Sequence, residues 1–299
     1  MLGFNSLISQ IIPFFPKWFV RPFANPYVAG ESLDEAIGAV RKLNAEGFSV
    51  TIDILGEFVT SNKEASQIRD EYLKVIQQIS DNKLDSTISV KLTHLGYELN
   101  DTLGEANILA LTKKGKELGV GITIDMENSP YTTQTFEIYK RTRAFHEKMG
   151  TVIQAYLFRS LKDIQNLESP LLNIRVCKGI YKESSEIAIQ DRSEINKNYI
   201  AIANALFNGS GYVGLATHDL SLINELERII DSKNIPPQRF EFQVLYGVPM
   251  GKRLKELQAK GYKVRVYLPF GKAWFDYSIR RLKENPKIIS YVIGNWFKN

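Results

Sequence analysis

Residues 263–284 read KVRVYLPFGKAWFDYSIRRLKE. Val264, Val266 and Leu268 alternate with Lys263, Arg265 and Tyr267, which is the period-two signature of a strand. Pro269 and Gly271 interrupt the pattern, so the strand is predicted to end at Tyr267. From Trp274 the spacing turns helical: Tyr277, Arg281 and Glu284 fall at i, i+4 and i+7, with Arg280 beside them. Two guanidiniums one short turn beyond a strand's carboxyl end form a clamp suited to a small carboxylate, because the planar fork meets two oxygens at once. The alternative is a solvated basic face with an Arg280–Glu284 pair.

Working outward, the same strand-then-helix unit recurs. Strand-like runs begin at Ser49, Ile88, Gly121, Val152, Leu172, Tyr212, Phe240 and Val264. Helical segments follow near 61–80, 102–118, 131–148, 160–168, 191–208, 221–232, 250–260 and 273–284. A helix over 31–46 precedes them, with Ser32 and Glu35 spaced as a capping box. Eight alternating pairs are the count of a TIM-type (β/α)8 barrel, an α/β fold. The domain reading is an apolar arm over 1–30, a barrel over 31–285 and a tail over 286–299.

Strands buried on both faces in a parallel sheet should be almost continuously apolar. Here one face carries Val50, Ile52, Ile54, Val90, Leu92, Ile122, Ile124, Ile174 and Val176. The other carries Thr51, Asp53, Lys91, Thr93, Thr123, Asp125, Glu127, Gln154, Asn173, Arg175, Glu241 and Gln243. The apolar face suits surrounding helices, so the polar face must point into the barrel. Burying these charges unpaired would be very costly. Pairs such as Asp53 or Asp125 with Lys91 or Arg175 are expected, together with a polar-edged ligand at the mouth.

Composition limits the function class. The net charge is +5, yet no Lys/Arg block is long enough for a nucleic-acid patch. The single cysteine, Cys177, cannot build a disulfide framework and points to a reducing compartment. His94, His146 and His218 lack metal-site spacing, so no structural metal is expected. Gly209 to Gly214 reads GSGYVG and matches GxGxxG, but it ends a helix and enters a strand, the reverse of a dinucleotide loop. Phe4 to Phe23 is apolar and aromatic but broken by Pro13, Pro16 and Lys17, too short a run to span a membrane. Two readings stay open for it: an arm packed on the barrel, or an interfacial anchor with Trp18 beside Lys17 and Arg21. The tail IISYVIGNWFKN allows the same two.

SVKLTHLG, TIDMEN, IRVCKGIY, ATHD, FEFQVLYGV and RVYLPFGKAWFDYSIRRLKEN, in that order, resemble the proline dehydrogenase family, in its monofunctional bacterial type. The resemblance covers roughly residues 30–286. It implies a distorted (β/α)8 barrel with the last helix over its mouth, FAD as cofactor and L-proline as substrate. It also implies oxidation to Δ1-pyrroline-5-carboxylate by hydride transfer from proline C5 to flavin N5, with a membrane quinone as electron acceptor. Location in the cytoplasm, with peripheral contact at the inner membrane face through the arm, goes with that reading.

The resemblance assigns the proline carboxylate to Lys91, Arg280 and Arg281. Tyr267, Tyr277 and Glu284 match positions that shape the ring pocket, and Leu245 an apolar ring contact. Asp125 matches an aspartate near the reacting centre, either a base or an orienting group for an arginine. Arg175 matches the residue beside the flavin N5, where a cation favours the electron-rich reduced ring. Met126, Gln154, Lys178, Gly179, Ile180, Thr217 and His218 match the remaining FAD contacts. Cys177, Ile180 and Asp276 depart from residues common at those positions. Two rival classes remain: a lysine-dependent aldolase using Lys91, although the glycine-rich phosphate loops often found in such barrels are missing, and a non-catalytic amino-acid-binding barrel.

Overall fold

The computed structural model describes residues 17–167, 169–170 and 172–284, apart from the side chains of Trp18, Phe19, Phe23 and residues 280–284. Of the anchor candidate Phe4–Phe23, residues 4–16 lie outside the described residues, as does the tail beyond 284. Helix α1 (Lys17–Ala24) and helix α2 (Leu33–Ala45) precede the first strand. Strand β1 is Ser49–Ile54, followed by α3 (Asn62–Asp81), β2 (Ser86–Val90), α4 (Asp101–Leu118) and β3 (Ile122–Ile124). Next come α5 (Thr132–Phe145), β4 (Met149–Gln154), α6 (Ser160–Leu167), β5 (Asn173–Cys177) and α7 (Arg192–Asn208). The chain closes with β6 (Tyr212–Ala216), α8 (Leu220–Ser232), β7 (Phe240–Leu245), α9 (Arg253–Ala259), β8 (Lys263–Phe270) and α10 (Trp274–Glu284). The eight strands form a closed parallel barrel in sequence order, β8 pairing back onto β1.

Local chemistry explains several boundaries. Ser32 accepts from the Glu35 amide while Glu35 accepts from the Ser32 amide, the expected capping box at α2. Asn100, Asp191 and Asp219 cap α4, α7 and α8 by accepting from first-turn amides through their side chains, without the reciprocal bond. Three expected boundaries shift. Strand β8 runs through Pro269 to Phe270 rather than stopping at Tyr267, because closure gives it a second partner. Its Arg265–Phe270 half pairs with β1. Lys91 and Thr93 lie in the turn after β2 rather than within it. Strand β4 begins at Met149, because Met149–Thr151 pair with Ile122–Ile124 and end the preceding helix at Phe145.

Outside the barrel wall, Ile52, Ile88, Ile122 and Val264 pack against Tyr72, Ile76, Ile108, Tyr139, Tyr199 and Leu226, all essentially buried. Each such side chain contributes about 1.5–3 kcal/mol of burial. Inside the wall the side chains are polar and mutually paired. Arg265 Nε donates to Glu241 Oε1 at 2.6 Å, and Arg265 Nη1 donates to the Val50 carbonyl at 2.7 Å. Glu241 Oε1 also accepts from Gln243 Nε2 at 2.7 Å, and Glu241 Oε2 accepts from the Tyr212 hydroxyl at 2.9 Å. Gln243 Oε1 in turn accepts from Arg175 Nε at 2.7 Å. A Cβ on Gly214 would lie 2.4 Å from Gln243 Nε2, so the last glycine of the GxGxxG look-alike makes room for this network. The first, Gly209, caps the carboxyl end of α7.

Burial acts against ionisation of Glu241, but Arg265 outweighs it and holds the carboxyl below its ordinary value. A depressed folded-state pKa adds stability above the ordinary carboxylate range and loses it as pH falls through that range. Arg265→Met is expected to cost about 3–5 kcal/mol at pH 7, because it leaves a buried carboxylate unpaired. The deficit should shrink toward pH 4 as Glu241 takes up a proton. Urea unfolding of both proteins across that range measures it.

Candidate active site

The carboxyl ends of the strands open into a cavity of about 760 Å³. Lys91, Asp125, Met126, Gln154, Arg175, Lys178, Gly179, Ile180, Thr217, His218, Leu245, Tyr267 and Tyr277 all line it. These are every sequence-chosen site residue whose side chain is described. Arg280, Arg281 and Glu284 sit on α10 with side chains outside the described set; α10 reaches the cavity through Asp276 and Tyr277.

At one end Lys91, on the turn after β2, donates to Asp53 Oδ1 of β1 at 2.8 Å. Burial alone would lower the lysine's affinity for its proton. Asp53 and Asp125 outweigh burial and raise it, so Lys91 stays an ammonium. Asp125, just past β3, is surrounded by donors: its Oδ1 accepts from Arg175 Nη1 at 2.5 Å and from Ser89 Oγ at 2.6 Å. Its Oδ2 accepts from the Tyr267 hydroxyl at 2.8 Å. The Arg175 guanidinium also stands 5.2 Å over the Tyr267 ring. Burial, with the charges of Asp125 and Asp53, raises the Tyr267 pKa well above its ordinary value, which keeps the phenol a donor.

The other end of the cavity is built differently. Gln154 Nε2 donates to the Met126 carbonyl at 3.0 Å and the Glu127 carbonyl at 3.2 Å. Its Oε1 is buried without a partner among the described residues. Lys178 Nζ donates to Asp219 Oδ2 at 2.7 Å. His218 Nε2 accepts from the Leu245 amide at 2.9 Å, which puts the proton of its neutral ring on Nδ1. Gly179 adopts φ +107°, and a Cβ there would strike the Tyr156 ring at 2.3 Å. Cys177 is pushed up to about 12, chiefly by burial, and is an unreactive thiol at neutral pH. Gln243, Ser89, Asp219 and Tyr181 were missed as site residues. Gln243 carried a signal on the polar strand face, and Asp219 as the residue after His218 that caps a helix.

Residues 36–292 match the family model described as proline dehydrogenase. The chain is 37% identical over 295 residues to proline dehydrogenase 1 of Bacillus subtilis subsp. natto, covering 99% of this chain and 97% of that one. The chain belongs to the proline dehydrogenase family. It is also 35% identical to the proline dehydrogenase of Deinococcus radiodurans, over 92% of this chain and 90% of that one. In fold it resembles the crystal structure of proline utilization A from Bdellovibrio bacteriovorus inactivated by N-propargylglycine, with a TM-score of 0.82 and 24% identity. That match covers 89% of this chain and 33% of the longer protein. Membership makes this barrel an enzyme of proline catabolism, and proline its implied substrate. Among the described residues no helix is long and apolar enough to cross a membrane.

Asp219 has two duties in this site. Its Oδ1 accepts from the Ser221 and Leu222 amides at the start of α8, while its Oδ2 holds Lys178. Burial opposes its ionisation, but Lys178 and Ser221 win and hold the carboxyl well below the usual range. Asp219→Ala should cost about 1–2 kcal/mol through the lost cap, and Asp219→Asn should retain most of that stability. Equilibrium denaturation of the two variants separates the cap from the ion pair.

Proposed function

We propose that the cavity holds FAD and L-proline together and oxidises the imino acid to Δ1-pyrroline-5-carboxylate. The observation that carries the reading is the cavity itself, which gathers Lys91, Arg175 and Lys178 at the barrel mouth. Its volume of about 760 Å³ is in the upper part of the ~300–1,000 Å³ range of ligand pockets, far more than an imino acid fills. The residues present suit a flavin dinucleotide. Lys178 offers a cation for a diphosphate. The unpartnered Gln154 Oε1 calls for a donor from a ligand. Met126, Gln154, Arg175, Lys178, Gly179, Ile180, Thr217 and His218 would hold it. When bound, FAD would supply the hydride acceptor at N5 for proline C5, the ring nitrogen giving up its proton to solvent as the C=N bond forms, with a quinone as the final electron acceptor.

The chain's own residues do the rest. Lys91, with Arg280 and Arg281 from α10, binds the proline carboxylate. Leu245, Tyr267, Tyr277 and Glu284 shape the space for the ring. Asp125 acts as an orienting group rather than as a base. Arg175, Ser89 and Tyr267 already occupy its oxygens, and through them it fixes the cation expected beside the flavin. A low-dielectric site makes that fixed cation worth more than it would be in water. The aldolase alternative finds no support here. Imine chemistry needs a neutral amine, and Asp53 keeps Lys91 protonated. Membrane contact through the Phe4–Phe23 arm falls in part on residues outside the described ones, and its described part, α1, packs on α10. Arg21 pairs with Glu31 at 3.0 Å, and Glu31 accepts from the Trp274 indole at 2.9 Å.

Purified protein should be yellow, and its flavin absorbance should bleach when L-proline is added without oxygen. Folded protein lacking flavin, or flavin untouched by proline, would sink this function. Arg281→Ala should raise KM for proline at least tenfold, the equivalent of about 1.5–3 kcal/mol for hydrogen bonds to a charged group. Steady-state kinetics with an artificial acceptor reads it.

A further inference from the structure

The loop between β1 and α3 forms part of the cavity wall through Leu55, Gly56 and Glu57. Its backbone is held in uncommon conformations, with φ +154° at Gly56 and φ +50° at Phe58. A non-glycine residue stays left-handed only where its surroundings over-determine it. Here the constraint comes from two neighbouring strand ends. The Phe58 amide donates to Thr93 Oγ1 at 3.3 Å. The Thr93 hydroxyl donates to Glu127 Oε1 in a short contact, and the Thr93 amide donates to Glu127 Oε2 at 3.1 Å. Thr93 and Glu127 are both completely buried. Gly56 sits so close to buried His94 that a Cβ would lie 2.3 Å from Nε2. The Glu127 carbonyl is itself gripped by Gln154, a cavity residue on β4.

Neither Thr93 nor Glu127 lines the cavity, and the proposed chemistry uses neither. A carboxylate buried for packing alone would be a poor choice, since burial penalises its charge. Its value lies in what it aligns. Burial pushes the Glu127 pKa up to about 7 while the two Thr93 donors pull against it. In its ionised form Glu127 accepts from the Thr93 hydroxyl and fixes its direction, leaving that oxygen's lone pairs to receive the Phe58 amide. The loop then lies against the Lys91 end of the cavity, where Glu57 acts on the lysine's charge.

We propose that Thr93 and Glu127 are positioning residues of the proline site, a buried relay that seats the Leu55–Val59 loop over Lys91. The inference rests on the proline reading of the cavity. With the loop unseated, water reaches Lys91 and carboxylate binding weakens, while groups farther along the cavity are undisturbed.

Thr93→Val keeps the shape and the backbone amide but removes the hydroxyl. In flavin-loaded enzyme it should raise KM for proline about tenfold, with kcat and flavin content within twofold of the parent. Thr93→Ser should restore the parent KM. The second readout needs no catalysis. Phe58 is 42% exposed, so chymotrypsin can report on the loop, and cleavage after Phe58 should be at least fivefold faster in Thr93→Val but not in Thr93→Ser. Glu127→Gln should reproduce both effects and carries the test if Thr93→Val does not fold. Unchanged KM and unchanged cleavage in a folded variant would overturn the relay, as would kcat falling with KM constant. Absence of proline-dependent flavin reduction in the parent would defeat the reading of the cavity instead, and the cleavage rates would still decide the relay.

Discussion

Ions buried inside a closed barrel must be paired, and that constraint organises this molecule. The interior holds a continuous chain of donors and acceptors from Glu241 and Arg265, through Gln243 and Arg175, to Asp125 and Tyr267. Each charge is satisfied by its neighbour rather than by solvent. Breaking one link strands another group in a low-dielectric interior, so the members stabilise the barrel only as a set. The chain also ends where chemistry can begin. Its last carboxylate and last guanidinium face the cavity at the carboxyl ends of the strands.

The same network explains why this barrel is not filled with branched apolar side chains. A hydrocarbon plug would stabilise the cylinder with less risk. It would also leave no rigid cation at the mouth. Arg175 is fixed from three sides, by Gln243, Asp125 and the Tyr267 ring, before any ligand arrives. Lys91 is fixed by Asp53. Such preorganisation means that little reorganisation is needed when the carboxylate and the electron acceptor bind. The buried Glu127–Thr93 pair extends the principle outward, from the barrel interior to a loop of the cavity wall.

Among the described residues the first and last helices meet at the mouth. Helix α1 and helix α10 share an apolar cluster that includes Val20, Ala24, Tyr27, Trp274 and Tyr277. The N-terminal segment therefore backs the helix that carries Tyr277, Arg280 and Arg281. The close approach extends to Gly247, which has no room for a Cβ beside the Pro26 carbonyl.

The amino-acid sequence by itself determined the repeat of eight strand–helix units, because the strand and helix periods differ and each unit is short. It also determined that the strands have one polar face. That left the barrel interior as the place for the charges, and it brought Asp53, Lys91, Asp125 and Arg175 into view as partners. Motif order along residues 89–285 was enough to identify the family. Only the tertiary structure decided which carboxylate takes which cation, since all four groups share one face and spacing along a strand says nothing about distance across a barrel. Closure decided that β8 continues through Pro269, by giving it β1 as a second neighbour. It likewise decided that Thr93 and Glu127, which read as interior residues, lie past the strand ends and bind each other. Strand termini are where alternation stops reporting direction, because the backbone there follows the turn rather than the pleat.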